Sequence, residues 1–166
     1  MNRLLEKGHK HVAVLGGRRD GDDIFAHRYQ GVMDSIHAHG IEYNPDEYVL
    51  TRFSMQGAYE ATQGIFEKRQ DITAVFTMSD AMAIGVVRAL RDRGLRVPLD
   101  VSVTGFDGTE MAGYYVPSIA TVSQPTAEIA RESVALLCEM LEGGQPQHVT
   151  VDFAMVEGES IAEAVR

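Results

Sequence analysis

The 166-residue sequence has one cysteine, no tryptophan and five prolines, and aromatic residues make up only 7% of it. A single thiol, Cys138, excludes an internal disulfide and gives no sign of an oxidising compartment, so a cytoplasmic location is expected. No stretch approaches the roughly 18 consecutive apolar residues of a membrane span. Met1 to Lys10 carries charge and no apolar run of signal-peptide length, so neither export nor a membrane partner is expected. Positive charge is also short: 15 Lys and Arg against 24 Asp and Glu leave a net charge of −9. Neutralising DNA phosphates needs a surplus of cations on one face, so any contact with nucleic acid has to come from outside this sequence. What is present is 45% apolar and 23% charged residues, the balance of one ordinary folded domain.

Motifs of catalysis and metal binding are equally scarce. Gly16-Gly17-Arg18-Arg19-Asp20-Gly21 follows a strand and precedes a helix as phosphate loops do, yet it lacks both G-x-G-x-x-G and the Walker lysine, which makes nucleotide binding a minor reading. Asp20-Gly21-Asp22-Asp23 has the wrong spacing for an EF-hand and no closing glutamate, and a solvated acidic loop accounts for it. The pairs His9/His11 and His37/His39 lack zinc spacing and read as polar strand entry and helix end. Cys138 sits among Leu136, Leu137 and Leu141 and is expected to be buried filler. No G-x-S-x-G elbow and no distinctive carboxylate pair is found. No catalytic residue, metal ligand or cofactor is therefore assigned, and the chain does not read as an enzyme.

Short β-branched runs at His11–Leu15, Tyr48–Thr51, Thr73–Thr77 and Val101–Gly105 each precede segments with helical apolar spacing. The helices are expected at about Ile24–His39, Gln56–Arg69, Asp80–Arg93 and Pro125–Glu142, with Gly40 and Gly94 following helix ends and Pro125 opening one. Parallel strands need crossover connections, so this alternation implies an α/β, Rossmann-like, mostly parallel sheet with helices on both faces. After Pro117 the rhythm changes to a brief strand at Ile119–Val122, a long helix, and an extended stretch at Val149–Val156. Met1–Lys7 reads as a helix ending at Gly8. A doubly wound domain usually opens with a strand, so a preceding segment is expected.

In an open α/β sheet ligands sit at the carboxyl ends of the strands. That rule selects the loops Gly16–Asp23, Phe53–Gln56, Met78–Asp80 and Phe106–Glu110. They offer Arg18, Arg19, Asp22, Asp23, Phe53, Ser79, Asp80, Asp107 and Glu110, with Arg28 just inside the first long helix. Fork donors, carboxylate acceptors and an aromatic face suit a polyhydroxylated ligand, whose hydroxyls both give and take hydrogen bonds. The plain alternative for each is a solvated loop side chain.

Five motifs in order carry a resemblance across essentially the whole chain. They are Leu5-Glu6-Lys7-Gly8-His9-Lys10-His11-Val12-Ala13-Val14-Leu15-Gly16-Gly17; Arg28-Tyr29-Gln30-Gly31; Ser79-Asp80-Ala81-Met82-Ala83-Ile84-Gly85; Val97-Pro98-Leu99-Asp100-Val101-Ser102-Val103-Thr104-Gly105-Phe106-Asp107; and Thr121-Val122-Ser123-Gln124-Pro125. Together they resemble the signature of LacI/GalR regulators, which join a helix-turn-helix to a two-lobed sensor similar to periplasmic sugar-binding proteins and form dimers. The resemblance implies that residues 1–120 are the bulk of the sensor's C-terminal lobe. Residues 121–147 would be a crossover strand and a helix of the N-terminal lobe, and 148–166 a return strand and tail, with the DNA-binding headpiece absent.

By the same resemblance Arg28 forks onto ligand hydroxyls or a carboxylate, and Asp107 accepts hydroxyl hydrogens. Phe53 stacks on the ligand, although the loop to Gly57 is one residue shorter than usual, which sets Ser54 in competition with it. Ser79 stands where many relatives carry Asn at the ligand. Asp80 is expected to cap the following helix, and Gly108 replaces a second Asp. Ile84, Tyr114, Tyr115 and Val116 resemble positions that meet a second subunit, with core packing the alternative. The implied function is sensing of a small sugar-like effector that controls operator binding by the absent headpiece, in a homodimer; the alternative is a sugar-binding protein of a transport system.

Overall fold

The computed structural model describes residues 1–165. Its elements follow the expected alternation: α1 (Asn2–Glu6), β1 (Val12–Gly16), α2 (Ile24–Ala38), β2 (Tyr48–Leu50), α3 (Met55–Lys68), β3 (Ala74–Thr77), α4 (Asp80–Asp92), β4 (Ser102–Thr104), α5 (Glu110–Tyr114), β5 (Thr121–Ser123), α6 (Thr126–Leu141) and β6 (Ala154–Val156). The first four strands form one parallel sheet in the order β2-β1-β3-β4. Parallel bridges from Thr104 to Ala120 and from Asp107 to Ser123 lay β5 beside β4, and β6 pairs antiparallel with β5. Gly40 and Gly94 close α2 and α4 at φ of 65° and 75°, as helix-ending glycines do.

Strands β1 and β3 each feed two cores because successive side chains point to opposite faces. Ala13 and Leu15 of β1 join Val75, Val103 and the inner faces of α3 and α4. Val12 and Val14 join Ala74, Met78, the α2 residues Val32, Met33 and Ile36, and the α1 residues Leu4 and Leu5. A parallel sheet covered on both faces reads in sequence as the continuous apolar runs seen here. The last helix is different, since α6 buries no residue. Ile129, Val134, Leu137, Met140 and Leu141 are exposed along it. Cys138 is exposed as well, which corrects the expectation of buried filler. A locally apolar helix face marks a buried thiol only if another element lies against it.

Two contacts decide how the layers meet. Helices α3 and α4 approach so closely at Gly85 that a Cβ there would lie 2.1 Å from the Met55 carbonyl oxygen. Asp80, fully buried, is the other. Its carboxylate accepts from the Thr109 backbone N–H at 2.6 Å, the Thr109 hydroxyl at 2.9 Å and the Thr121 hydroxyl at 2.6 Å. Asp80 is therefore not the helix cap expected from sequence. The cap of α4 is Ser79, whose hydroxyl accepts from Met82 N–H. Asp80 instead fastens α4 to the loop after β4 and to β5.

Gly85→Ala should lower stability by about 1–3 kcal/mol, because a methyl group is forced into a backbone carbonyl. Gly64→Ala, also in a helix but with open space around its Cα, should raise stability by about 0.5–1 kcal/mol. Thermal denaturation separates the two, at roughly 2–4 °C per kcal/mol for a chain of this size; equal shifts would contradict the close packing. Asp80→Ala leaves three donors without their acceptor, the buried Thr121 hydroxyl among them, and should cost about 3 kcal/mol. A loss under about 1 kcal/mol would show that the three hydrogen bonds do not fasten the layers.

Candidate functional site

The order of the sheet places its topological switch between β1 and β3, whose connections leave in opposite directions, and a crevice opens there at the carboxyl ends. Arg28 reaches into it from the second turn of α2. The helix is started by Asp23, whose carboxylate accepts from the N–H groups of Phe25 and Ala26. Half-buried Arg28 donates to the Met78 carbonyl at 2.6 Å, and its guanidinium carbon lies 3.9 Å from the centroid of the Phe106 ring. One carbonyl and one aromatic face hold the plane of the fork. Burial lowers the pKa of this guanidinium and the charge of Asp107 opposes the shift; an arginine stays cationic in either case.

Asp107 comes from the other side, at the end of β4. Its backbone has φ of 117°, a conformation that residues other than glycine rarely adopt. Three bonds hold it there. Its N–H donates to the Val122 carbonyl at 2.9 Å, its carbonyl accepts from Gln124 N–H at 3.2 Å, and its carboxylate accepts from the Gln124 side-chain amide at 2.8 Å. Gly108 follows at φ of 72°, where a Cβ would strike Ser123 at 2.4 Å. A second Asp would not fit this turn. Such strain of about 1–3 kcal/mol survives where the surroundings impose it and concentrates at functional sites. Burial raises the pKa of Asp107; Arg28 lowers it, Asp80 raises it further and the Gln124 amide lowers it.

The other sequence candidates divide by the work their atoms already do. Arg18 pairs with Asp20 at 2.7 Å and Asp22 with His27 at 3.0 Å, both on the exposed rim. Arg19 lies over the rings of Tyr48 and Tyr29, 5.0 and 5.8 Å from their centroids. Ser79 is buried and its oxygen accepts from Met82 N–H as the α4 cap, which leaves its hydroxyl hydrogen and one lone pair to offer. Ser54 caps α3, so of the two competing residues Phe53 is the one with a free aromatic face. Its ring is 36% exposed and lies 4.5 Å from that of Phe25, in the first turn of α2. Glu110 is exposed in the first turn of α5.

Two residues at this site were not singled out from sequence, Phe106 and Gln124. Phe106 lies in the Gly105-Phe106-Asp107 motif and Gln124 before a proline, but the contact each makes is across the fold, Phe106 with Arg28 of α2 and Gln124 with Asp107 beyond β4. Arg28, Phe76, Met78, Phe106 and Val122 line one hollow. It continues into an apolar one formed by Phe106, Val122, Gln124, Ile129 and Phe153. Among the described residues no group of three or more His, Cys, Asp or Glu side chains could hold a metal ion.

Of the residues expected at a partner surface, Tyr114 and Val116 are 82% and 86% exposed. Tyr115 packs partly on the α3/α4 core, and Ile84 is buried beside Gly85. Ile84 and Tyr115 line a shallow groove with Met55, Tyr59 and Arg88.

Comparison with known proteins agrees with this architecture. The family of periplasmic binding protein-like domains matches residues 1–161. The HTH-type transcriptional regulator MalR of Clostridium butyricum is 38% identical over 134 residues, 80% of this chain and 40% of that protein. The HTH-type transcriptional repressor CytR of Escherichia coli K12 is 33% identical over 149 residues, 90% of this chain and 42% of that one. The chain spans less than half the length of these relatives. Among solved structures, the transcriptional regulator CelR–cellobiose complex superposes with a TM-score of 0.88 at 30% identity, covering 96% of this chain and 49% of that one. A LacI family transcriptional regulator from Enterococcus faecium with bound ribose gives 0.85 at 26% identity, covering 98% and 60%. The fold and the family match over residues 1–161 show that the chain belongs to the periplasmic binding protein-like domains, and the relatives it resembles within that family are LacI-type transcriptional regulators.

Proposed function

We propose that this chain is the effector-sensing part of a LacI-type regulator, a cytoplasmic protein and not an enzyme, and that Arg28 and Asp107 grip a small sugar or sugar derivative. The observation that carries the reading is the pair itself. A cation held by a carbonyl and a ring, and a carboxylate held in a strained backbone, converge on one crevice without forming an ion pair with each other. A guanidinium fork and a carboxylate together serve vicinal hydroxyls, one giving hydrogen bonds and the other accepting them. Phe53 and Phe25 supply an aromatic face for the C–H side of the ligand, and the Ser79 hydroxyl a further donor. Two neighbours in the same fold carry cellobiose and ribose, which supports a saccharide class.

In this reading residues 1–120 and 148–166 form one lobe. Residues 121–147 cross to a second lobe, which would also cover the exposed face of α6. Operator DNA would be met by a helix-turn-helix outside these residues. Ligand binding acts through Asp107, because the backbone and side chain of Gln124 hold it to the segment that leads into α6. A ligand that favours one lobe orientation shifts the population of the two, and DNA affinity follows. Tyr114 and Val116, with Ile84 and Tyr115 beside them, are proposed to form a homodimer contact.

By itself the chain offers one shelf of a cleft and should bind with roughly millimolar affinity, since burial on both sides is what makes such ligands bind tightly. A thermal-shift screen with mono- and disaccharides and their phosphates tests this. At a ligand concentration about ten times the dissociation constant, stabilisation is about 1.4 kcal/mol, a rise of roughly 3–6 °C. Arg28→Ala and Asp107→Ala should each abolish the rise. A saccharide that stabilises both variants as well as the parent would remove these residues from the site.

Binding should also weaken at acid pH. The ligand needs the Asp107 carboxylate, whose pKa burial has raised, so affinity is full above that value and falls up to tenfold per pH unit below it. The decline therefore begins above the ordinary carboxylate range of about 4. Asp107→Asn should bind more weakly and lose this dependence; a parent protein whose affinity is flat from pH 7 to 4 would contradict the assignment. For the dimer, Tyr114→Asp together with Val116→Asp should shift the sedimenting species from dimer to monomer.

A further inference from the structure

The chain contains two Asp-Gly bonds, Asp20–Gly21 in the loop between β1 and α2 and Asp107–Gly108 after β4. In such a pair the glycine has no side chain to keep its backbone nitrogen away from the carboxyl carbon of the aspartate. The two atoms meet whenever the peptide unit between the residues is free to turn. The fold treats the two bonds in opposite ways.

At Asp107–Gly108 the peptide unit is fixed. Its carbonyl accepts from Gln124 N–H at 3.2 Å, and the Asp107 carboxylate is taken by the Gln124 side-chain amide at 2.8 Å. Gly108 lies so close to Ser123 that even a Cβ would meet it at 2.4 Å. Turning this unit means opening the join between β4 and β5. At Asp20–Gly21 no such restraint acts. Among the described residues neither the Asp20 carbonyl nor the Gly21 N–H has a hydrogen-bond partner, and no heavy atom lies within 4 Å of a Cβ built on Gly21, whose φ is 116°. The Asp20 side chain is 76% exposed and is held by the fork of Arg18, which donates to its two oxygens at 3.2 and 2.7 Å.

We propose that Asp20–Gly21 is a site of spontaneous covalent modification, at which the Gly21 backbone nitrogen attacks the Asp20 carboxyl carbon and the residue becomes isoaspartate, with Arg18 as the restraint on the reaction. The N–Cγ bond forms and a Cγ–O bond breaks. The hydroxyl of the protonated carboxyl leaves with the amide hydrogen as water, and a five-membered succinimide remains. Water then adds back. Addition at Cγ restores aspartate; addition at the former backbone carbonyl gives isoaspartate, in which the chain runs through Cβ and Cγ and the old carbonyl carbon becomes a free carboxylate. Water is the only co-reactant.

The Arg18 fork opposes the first step twice. It fixes the carboxylate away from Gly21, and its hydrogen bonds hold the carboxyl below the usual carboxylate pKa range, so that less of the protonated form is present. Isoaspartate lengthens the backbone by one atom just before Asp23, whose side chain starts the helix that carries Arg28. Asp107, with the same glycine beside it, keeps its carboxylate because Gln124 and Ser123 hold its peptide unit still. This contrast stands whether or not the effector reading above holds.

The test is to incubate the folded chain for days at neutral pH, and in parallel the chain unfolded in guanidinium. Isoaspartate is located by peptide mapping with mass spectrometry and counted by methylation with an isoaspartyl methyltransferase; the succinimide is lighter by one water. In the folded chain isoaspartate should form at least about tenfold faster at residue 20 than at residue 107, because Asp107 reacts only from the fraction of molecules in which the β4–β5 join has opened. In the unfolded chain the two sites should convert at similar rates. Arg18→Ala removes an exposed side chain and should speed conversion at residue 20 by up to about fivefold, the scale of an exposed ion pair, while residue 107 is unchanged. Conversion at residue 107 as fast as at residue 20 in the folded chain, no isoaspartate at residue 20 under conditions where the unfolded chain forms it, or an unchanged rate in Arg18→Ala would each overturn the proposal.

Discussion

The arrangement of the crevice depends on one buried carboxylate. Asp80 stands at the start of α4, directly after β3, and its oxygens collect donors from the loop beyond β4 and from β5. A buried charge is costly unless hydrogen bonds surround it. The chain must therefore bring Thr109 and Thr121 to it, and that requirement sets β5 beside β4. Only then can Val122 and Gln124 hold Asp107 in its left-handed turn. The position of the Asp107 carboxylate in the crevice is thus inherited from a second, buried carboxylate. Arg28 is set independently, by the α2 cap at Asp23 and by the Met78 carbonyl.

Much of this was legible in the sequence for physical reasons. Strands β1 and β3 are buried on both faces and so appear as unbroken apolar runs, and Gly40 and Gly94 mark the ends of α2 and α4 because a left-handed residue is needed there. Boundaries agree within two residues for every long helix. Asp107 was legible as a loop residue at the carboxyl end of a strand and Arg28 as a position just inside the first long helix, and the structure brings both to one crevice. Pairings across the fold were not legible. Asp80 read as a cap because aspartate commonly is one, but the adjacent serine is the cap and the aspartate turns inward. Cys138 read as buried because its helix is apolar, and among the described residues no element covers that helix. His9 read as polar strand entry, yet it is a buried, doubly bonded ring. Each difference turns on a tertiary partner distant in sequence.

The two devices at the β4–β5 seam have a common logic. On the inner side the backbone and amide of Gln124 hold Asp107, while on the outer side Ser160 holds Val103 and Ala120. Because Asp107 is braced through a seam, rather than through one continuous strand, a small shift at this residue can pass into the segment that leaves toward α6. The short strands β4 and β5, three residues each, leave the seam few ladder bonds of its own. Side chains therefore carry much of the bracing.

The central claim is that one crevice at the carboxyl ends of β1, β3 and β4 takes the ligand. Backbone amide chemical-shift mapping with cellobiose and ribose added in turn tests it most directly. The account predicts that a binding sugar moves the amides of Gly17, Arg28, Asp107, Gly108 and Gln124 together, in one saturable process. Shifts gathered instead around the hollow of Phe66, Gln70, Ile72 and Leu95, at the opposite end of the sheet, would contradict it.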